Sequence, residues 1–306
     1  MAKHTTRGTG LEYARGIKGK HRFRVRETYV AGPVADLIRS RRVGAAKLDL
    51  ILRGLALSPD HAGNREPGLV LRHKGRLSYQ QLHDLCRHPS RFSWDAPHDV
   101  EDDASVREKK RTWVGEQMQE LERHRLVERR RDSRGRRPEI IVLSDRGDGD
   151  RFDDPGAAAH SGTAYVTISG LVISSHLFRD WGAPEVVAYL CAMTADRFAR
   201  HRHRLRTGED LEPGSATWFR QADWFNNRNP NFGRPDGHIA YPFSTTTIQR
   251  GLRALRAQGL IIAERTTRNP ETGQLFASGP RMVYKNRFEA AHLAEVVDLA
   301  EFRSAV

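Results

Sequence analysis

The chain has 306 residues, 51 Lys and Arg against 38 Asp and Glu, and a formal net charge of +13. Only 38% of it is hydrophobic and no run approaches the ~20 apolar residues of a spanning helix, so a membrane protein is not expected. Two distant cysteines, Cys86 and Cys191, exclude a disulfide framework and a Cys-rich zinc site.

A basic excess of this size favours a polyanionic partner, nucleic acid before an anionic membrane. The start lacks an apolar stretch, so export by signal peptide is not expected and a cytoplasmic, nucleoid-associated protein is. Residues 1–30 read as a basic N-terminal arm. Lys3, Arg7, Arg15, Lys18, Lys20, Arg22, Arg24 and Arg26 face only Glu12, and disorder is expected to about residue 20. From His21 to Val30 the arginines alternate with Phe23, Val25 and Tyr29. That pattern is either a strand with a basic face or an extended arm along phosphates.

A first domain is expected over 31–145. Ala45 to Leu57 reads as its first helix and Arg76 to Ser78 as a short strand. Ser78 with Gln81 forms a capping box for a second helix through Leu82 and Leu85. The third helix has two candidate starts, one near Lys110 and one at Ser105, whose box with Glu108 is complete and is preferred. An acidic, glycine-rich stretch (Asp145, Asp148, Asp150, Asp153, Asp154) reads as a flexible linker over 146–162, because its spacing is not that of a calcium loop.

Across that linker the chain repeats. Val114, Met118, Leu121 and Leu126 match Ile248, Leu252, Leu255 and Leu260, each pair offset by 134 (248−114, 252−118, 255−121, 260−126). Steps of 4 and 3 put three residues on one helical stripe; the step of 5 leaves the helix. Both copies then continue as strand, turn, strand, around DSRGRRP in the first and RNPETGQLFASGP in the second. Gly259 stands where the second helix should end, and Arg125 takes that place in the first.

The second domain is expected over 163–290. Pro184 to Phe198 carries Val187, Leu190, Cys191 and Thr194 at helical spacing. Thr217 to Phe225 reads as a second helix with Trp218 and Trp224 in the core, the alternative being that one of them is an exposed platform. Residues 291–306 are expected as a C-terminal helix, packed on this domain or pairing with a second copy as a homodimer.

The segments KKRTWVGEQMQELERHRLVERRRDSRGRR and TTTIQRGLRALRAQGLIIAERTTRNPETG resemble the recognition helix and wing of tandem winged helix-turn-helix DNA-binding proteins. The pair is also similar to plasmid replication initiators. The resemblance implies a mainly α fold with small β wings, two winged-helix domains joined by the acidic linker. It implies sequence-specific binding of double-stranded DNA, in transcription regulation or plasmid-type replication initiation.

At roughly 100° per residue, Ile248, Leu252 and Leu255 share one face, and Thr246, Gln249, Arg250 and Arg253 point away from it. Those four, with Thr245, are the expected base-reading residues, since Arg suits guanine and Gln adenine. In the first copy the DNA-contacting candidates are Lys109, Lys110, Arg111, Thr112 and Gln119 on the helix. Its wing adds Arg129, Arg130, Arg131, Arg134, Arg136 and Arg137, whose mutual repulsion a polyanion would relieve. Arg265 and Arg268 are the weaker second wing.

No catalytic residue, metal ligand or cofactor is expected. His201 and His203 form His-x-His among arginines, which disfavour a cation. No phosphate-cradling glycine loop is present. The rival readings are a non-specific architectural or RNA-binding protein and, less favoured, a DNA-nicking initiator; Tyr189 and Tyr241 lie in no nucleophile motif.

Overall fold

The structure is a computed structural model describing residues 22–57, 68, 70, 79–86, 104–130, 139–153, 165–211, 217–220, 243–270, 272–277 and 279–288. It is mainly helical with small antiparallel sheets. The chain divides into two compact units built from interleaved segments. Unit 1 takes residues 1–23, 36–158 and 170–180; unit 2 takes 24–35, 159–169 and 181–306. The expected sequential blocks are therefore crossed by two exchanged pieces, 24–35 and 170–180.

In unit 1, helix α1 (Val43–Ala56) precedes α2 (Tyr79–Cys86) and α3 (Ala104–Arg123), followed by the hairpin β2 (Val127–Arg130) and β3 (Glu139–Val142). Leu48, Ile51, Leu52 and Leu55 of α1 are buried with Leu82, Leu85, Val114, Met118 and Leu121. This is the helical stripe the spacing predicts. A buried ion pair within α1, Arg53 to Asp49 at 2.8 Å, leaves Arg53 Nη1 to donate to the Leu143 carbonyl at 3.0 Å. The helix is thereby tied to the end of β3. The chain before α2 adds to the hairpin through two backbone bonds, Val142 N–H to Gly68 O and Val70 N–H to Ile140 O. The expected strand at Arg76 to Ser78 lies outside the described residues.

Two short helices from beyond the acidic stretch complete unit 1, Gly170–Ser174 and His176–Asp180. Lys47 Nζ donates to the Arg179 carbonyl at 2.8 Å, and Gly54 lies so near Ile173 that a Cβ there would stand 2.8 Å from it. The acidic stretch itself is ordered at its start. Asp145 is buried, Ser144 N–H donates to Asp150 O, and Leu143 bridges Arg151. The flexible-linker expectation is thus corrected for 146–153, where left-handed Gly147 and Gly149 fold the chain back on β3; 154–162 lie outside the described residues.

In unit 2 the arm expected over 1–30 is also corrected at its end. Arg22–Arg26 is a strand, β1, which pairs β4 (Tyr165–Ser169). Phe23 and Val25 are buried, and so is Arg26. The chain then turns helical through Glu27–Tyr29 and Val30–Val34, and the next short helix, Ala35–Arg39, belongs to unit 1 from Asp36 on. Residues 1–21 lie outside the described set.

Helix α4 (Ala183–Thr207) starts with Pro184 as its second residue, and Glu185 accepts from the Gly182 N–H at 3.0 Å. The expected buried set Val187, Leu190, Cys191 and Thr194 is wholly inside. Burial pushes both thiols up, Cys191 further than Cys86, which reaches about 12, so neither is a reactive thiolate.

The expected helix at Thr217 to Phe225 is instead a strand where described, β5 (Trp218–Arg220). Aromatic and β-branched residues favour a pleated surface, and here β7 supplies a ladder. Phe219, not Trp218, fills the core; Trp218 is half-exposed, with Lys285 Nζ 5.8 Å from its ring centroid. Trp224 lies outside the described residues. Helix α5 (Thr245–Ala257) and hairpin β6 (Ile261–Thr266) and β7 (Arg281–Asn286) complete an antiparallel sheet in the order β5-β7-β6. The C-terminal helix expected over 291–306 lies outside the described residues.

The repeat extends to the backbone. Arg125 (φ 53°) and Gly259 (φ 74°) are both left-handed. Leu126 N–H donates to Leu121 O and Arg125 N–H to Glu122 O; Leu260 donates to Leu255 and Gly259 to Arg256. This is the same double closure twice, at the same offset of 134. Partner strands end at Val142 and Asn286, an offset of 144, so the second hairpin is ten residues longer.

Helix α5 approaches α4 without clearance. A Cβ on Gly251 would lie 1.9 Å from the Pro184 carbonyl oxygen and 2.6 Å from Ala188 Cβ. Gly251→Ala therefore costs about 3 kcal/mol in chemical denaturation, despite Ala's higher helix propensity. Gly115→Ala on α3, with nothing within 4 Å, gains about 0.5–1 kcal/mol in the same experiment.

Candidate nucleic-acid interface

Helix α5 is opened by Ser244, whose Oγ accepts from Thr247 N–H at 3.2 Å. Ile248, Gly251, Leu252 and Leu255 are its buried face. On the opposite face Thr245, Thr246, Arg250 and Arg253 are exposed and Gln249 is half-buried. Arg256, which lies at the edge of that face and escaped the angular reading, is exposed as well. The 13 residues of α5 carry three arginines and no carboxylate. The field over this face is uniformly positive.

Next to it stands the β6–β7 hairpin. Arg265 is exposed on β6. Arg268 is exposed too, but its Nη1 donates to the Gly273 carbonyl at 3.1 Å, so part of its fork is spent on closing the loop. Tyr284 on β7 is half-buried. Burial raises its pKa, and the nearby charges of Arg253 and Arg256 oppose that rise. The helix arginines and the hairpin therefore share one electrostatic neighbourhood.

Unit 1 is different. Lys109, Arg111, Thr112 and Gln119 are exposed on α3, and Arg111 pairs loosely with Glu108 at 3.6 Å. Lys110 is corrected: it is buried and its Nζ lies 3.0 Å from Asp84 Oδ1 on α2. Its position matches Ser244 by the 134 offset, yet α3 is helical from Ala104 on, as the preferred early start requires. Lys110 is thus carried into the helix interior and onto α2.

Arg129 is corrected in the same way. It is half-buried and bidentate on Glu122, with Nε and Nη2 at 2.8 and 2.5 Å from its two oxygens. Glu122 is held below the ordinary carboxylate range by Arg129, and Arg129 is held firmly charged by Glu122. Arg130 is exposed and pairs with Glu128 at 3.0 Å. Arg131, Arg134, Arg136 and Arg137 lie outside the described residues. Helix α3 also mixes Glu108, Glu116, Glu120 and Glu122 among its cations, so its exposed face is closer to neutral than that of α5.

Among the described residues no cluster of three His, Cys, Asp or Glu is placed to hold a metal ion. His201 and His203 lie on the last turns of α4, where Arg200 pairs with Asp196 at 3.0 Å. No helix of the described residues is long and apolar enough to cross a membrane. Comparison of the chain with protein-family models, with curated proteins and with solved structures finds no match.

Burial works against the charge of Asp84, but hydrogen bonds from His83 and Lys110 outweigh it and hold the carboxyl below its ordinary value. A depressed carboxylate contributes stability that is present above its unfolded value of about 3.9 and lost as pH falls through the folded value. Asp84→Asn therefore lowers the melting temperature at pH 6–7. The gap to the parent chain narrows as pH falls below about 4, read by thermal unfolding at successively lower pH.

Proposed function

We propose that the chain binds double-stranded DNA sequence-specifically through two winged helix-turn-helix units, with α5 of unit 2 as the principal base-reading element. The observation that carries this reading is the acid-free outer face of α5, with Thr245, Thr246, Arg250, Arg253 and Arg256 exposed and Gln249 half-buried, next to the β6–β7 hairpin. A helix of this kind fits the major groove, where Arg reads guanine O6 and N7.

The element order supports the assignment. Unit 1 runs helix, strand-like bond pair, helix, reading helix, hairpin, and unit 2, among the described residues, runs helix, strand, reading helix, hairpin; in both the added strand is bonded to the hairpin's last strand. In unit 2 this is the β5-β7-β6 order, which leaves β6 at the sheet edge directly after α5. Unit 1 offers Lys109, Arg111 and Arg130 to the phosphate backbone, with Thr112 and Gln119 beside them, and serves to position rather than to specify. Tandem units in one chain read a composite site without dimerisation, because the second binds at high effective concentration. The role is binding without catalysis, on cytoplasmic, nucleoid DNA, in regulating transcription or initiating plasmid-type replication.

Selection from a pool of random duplexes yields an enriched motif; the absence of any motif overturns the sequence-specific reading. On the selected site Arg250→Ala costs about 1–3 kcal/mol and relaxes preference at one base pair. Lys109→Ala weakens all sequences alike and reduces the slope of log K against log salt by about 1. A uniform loss from Arg250→Ala would place the base-reading face elsewhere.

A further inference from the structure

The longer hairpin of unit 2 ends in a feature that base reading by α5 does not use. Leu275 is 67% exposed, although it sits in a tightly closed turn. Asn269 N–H donates to Gln274 O, Gly273 N–H to Asn269 O and Phe276 N–H to Thr267 O, each at 2.8 Å. Arg268 bridges Leu275 across the turn, and left-handed Gly273 (φ 71°) makes the reversal. The side chain is thus held out on a braced tip. Of the three large apolar side chains exposed among the described residues, two, Ile262 and Leu275, belong to this hairpin.

Two cations, Arg268 and Arg281, flank the turn, with Arg265 further back on β6. Arg265, Arg268 and Arg281 are all exposed, and Arg281 lies over the Phe276 ring at 5.9 Å. The sequence from 264 to 281 sets Glu264 and Glu271 against these three, a net positive balance. Reach fits as well. From Ile261 to Thr266 the strand advances about 17 Å at ~3.3 Å per residue. One turn of duplex is about 34 Å, so the groove flanking the one α5 would fill lies about 17 Å away.

We propose that Leu275 is an apolar wedge that enters the flanking minor groove and partly unstacks one base step, while Arg265, Arg268 and Arg281 hold the phosphates on either side. An apolar side chain presented between cations matches a base step between phosphates; a solvated turn needs neither. The inference rests on the DNA-binding reading above. It adds to that reading a deformation of the duplex and a preference for flexible pyrimidine–purine steps beside the contacted bases.

The test uses the full chain and selected duplexes carrying 2-aminopurine at successive flanking positions. The parent chain raises the fluorescence at one step, and Leu275→Ala abolishes the rise and weakens binding about tenfold. Leu275→Met keeps the signal, and Gln274→Ala changes neither quantity. Leu275→Ala with an undiminished signal, or a parent chain that binds with no unstacking anywhere, overturns the wedge while leaving DNA binding intact. A parent chain that binds no duplex at all overturns both.

Discussion

The left-handed residue between the last helix, α3 or α5, and the hairpin governs the geometry of each unit. At Gly259, and again at Arg125, one residue in the αL region lets two backbone bonds close the helix while the chain leaves as a strand. Leu260 and Leu126, the residues that follow, drop into the core from that turn. The direction of the hairpin is therefore fixed relative to the helix, and any ligand that touches both meets a preset angle. Glycine adopts this conformation without strain, whereas Arg125 pays about 1 kcal/mol or more for its Cβ. Unit 1 accepts that cost, so its turn is held by its surroundings and not by its own preference.

The two units also solve the same packing problem with opposite parts. In unit 2 the glycine is on the reading helix, Gly251, and faces the second residue of α4. In unit 1 the glycine is Gly44, the second residue of α1, and it faces Trp113 and Gln117 of the reading helix. Gln117 is the 134-offset equivalent of Gly251. Close approach of the two helices is thus kept while the small residue changes sides. The charge diverges more than the packing: α3 is laced with glutamates and hands Lys110 to α2, while α5 is left with arginines alone.

Much of this was legible from spacing. The offset of 134 located α3 and α5, their buried stripes and the turns that end them, because apolar periodicity is written locally. What failed was whatever depended on a distant partner. Trp218 to Arg220 is a strand only because β7 lies beside it, and Phe219 rather than its larger neighbour faces inward. Lys110 and Arg129 look like free cations in the sequence, yet Asp84 and Glu122 claim them across 26 and 7 residues. Alternation left Arg22 to Arg26 open between a strand and an extended arm, because the strand that decides it lies more than a hundred residues later, at Tyr165–Ser169. The exposed face of α5 was readable because no partner intervenes.

The interleaving of segments bears on how the chain is made. The helices Gly170–Ser174 and His176–Asp180 belong to unit 1 and supply the carbonyl that receives Lys47. Residues 24–35, which precede all of α1 in the sequence, belong to unit 2. Neither unit can close from its own half of the chain as it leaves the ribosome. Unit 1 waits, with apolar positions of α1 uncovered, until residue 180 is out; β1 waits for β4. Each unit therefore closes only when segments far apart in the sequence meet, which sets it apart from a unit built from one continuous stretch.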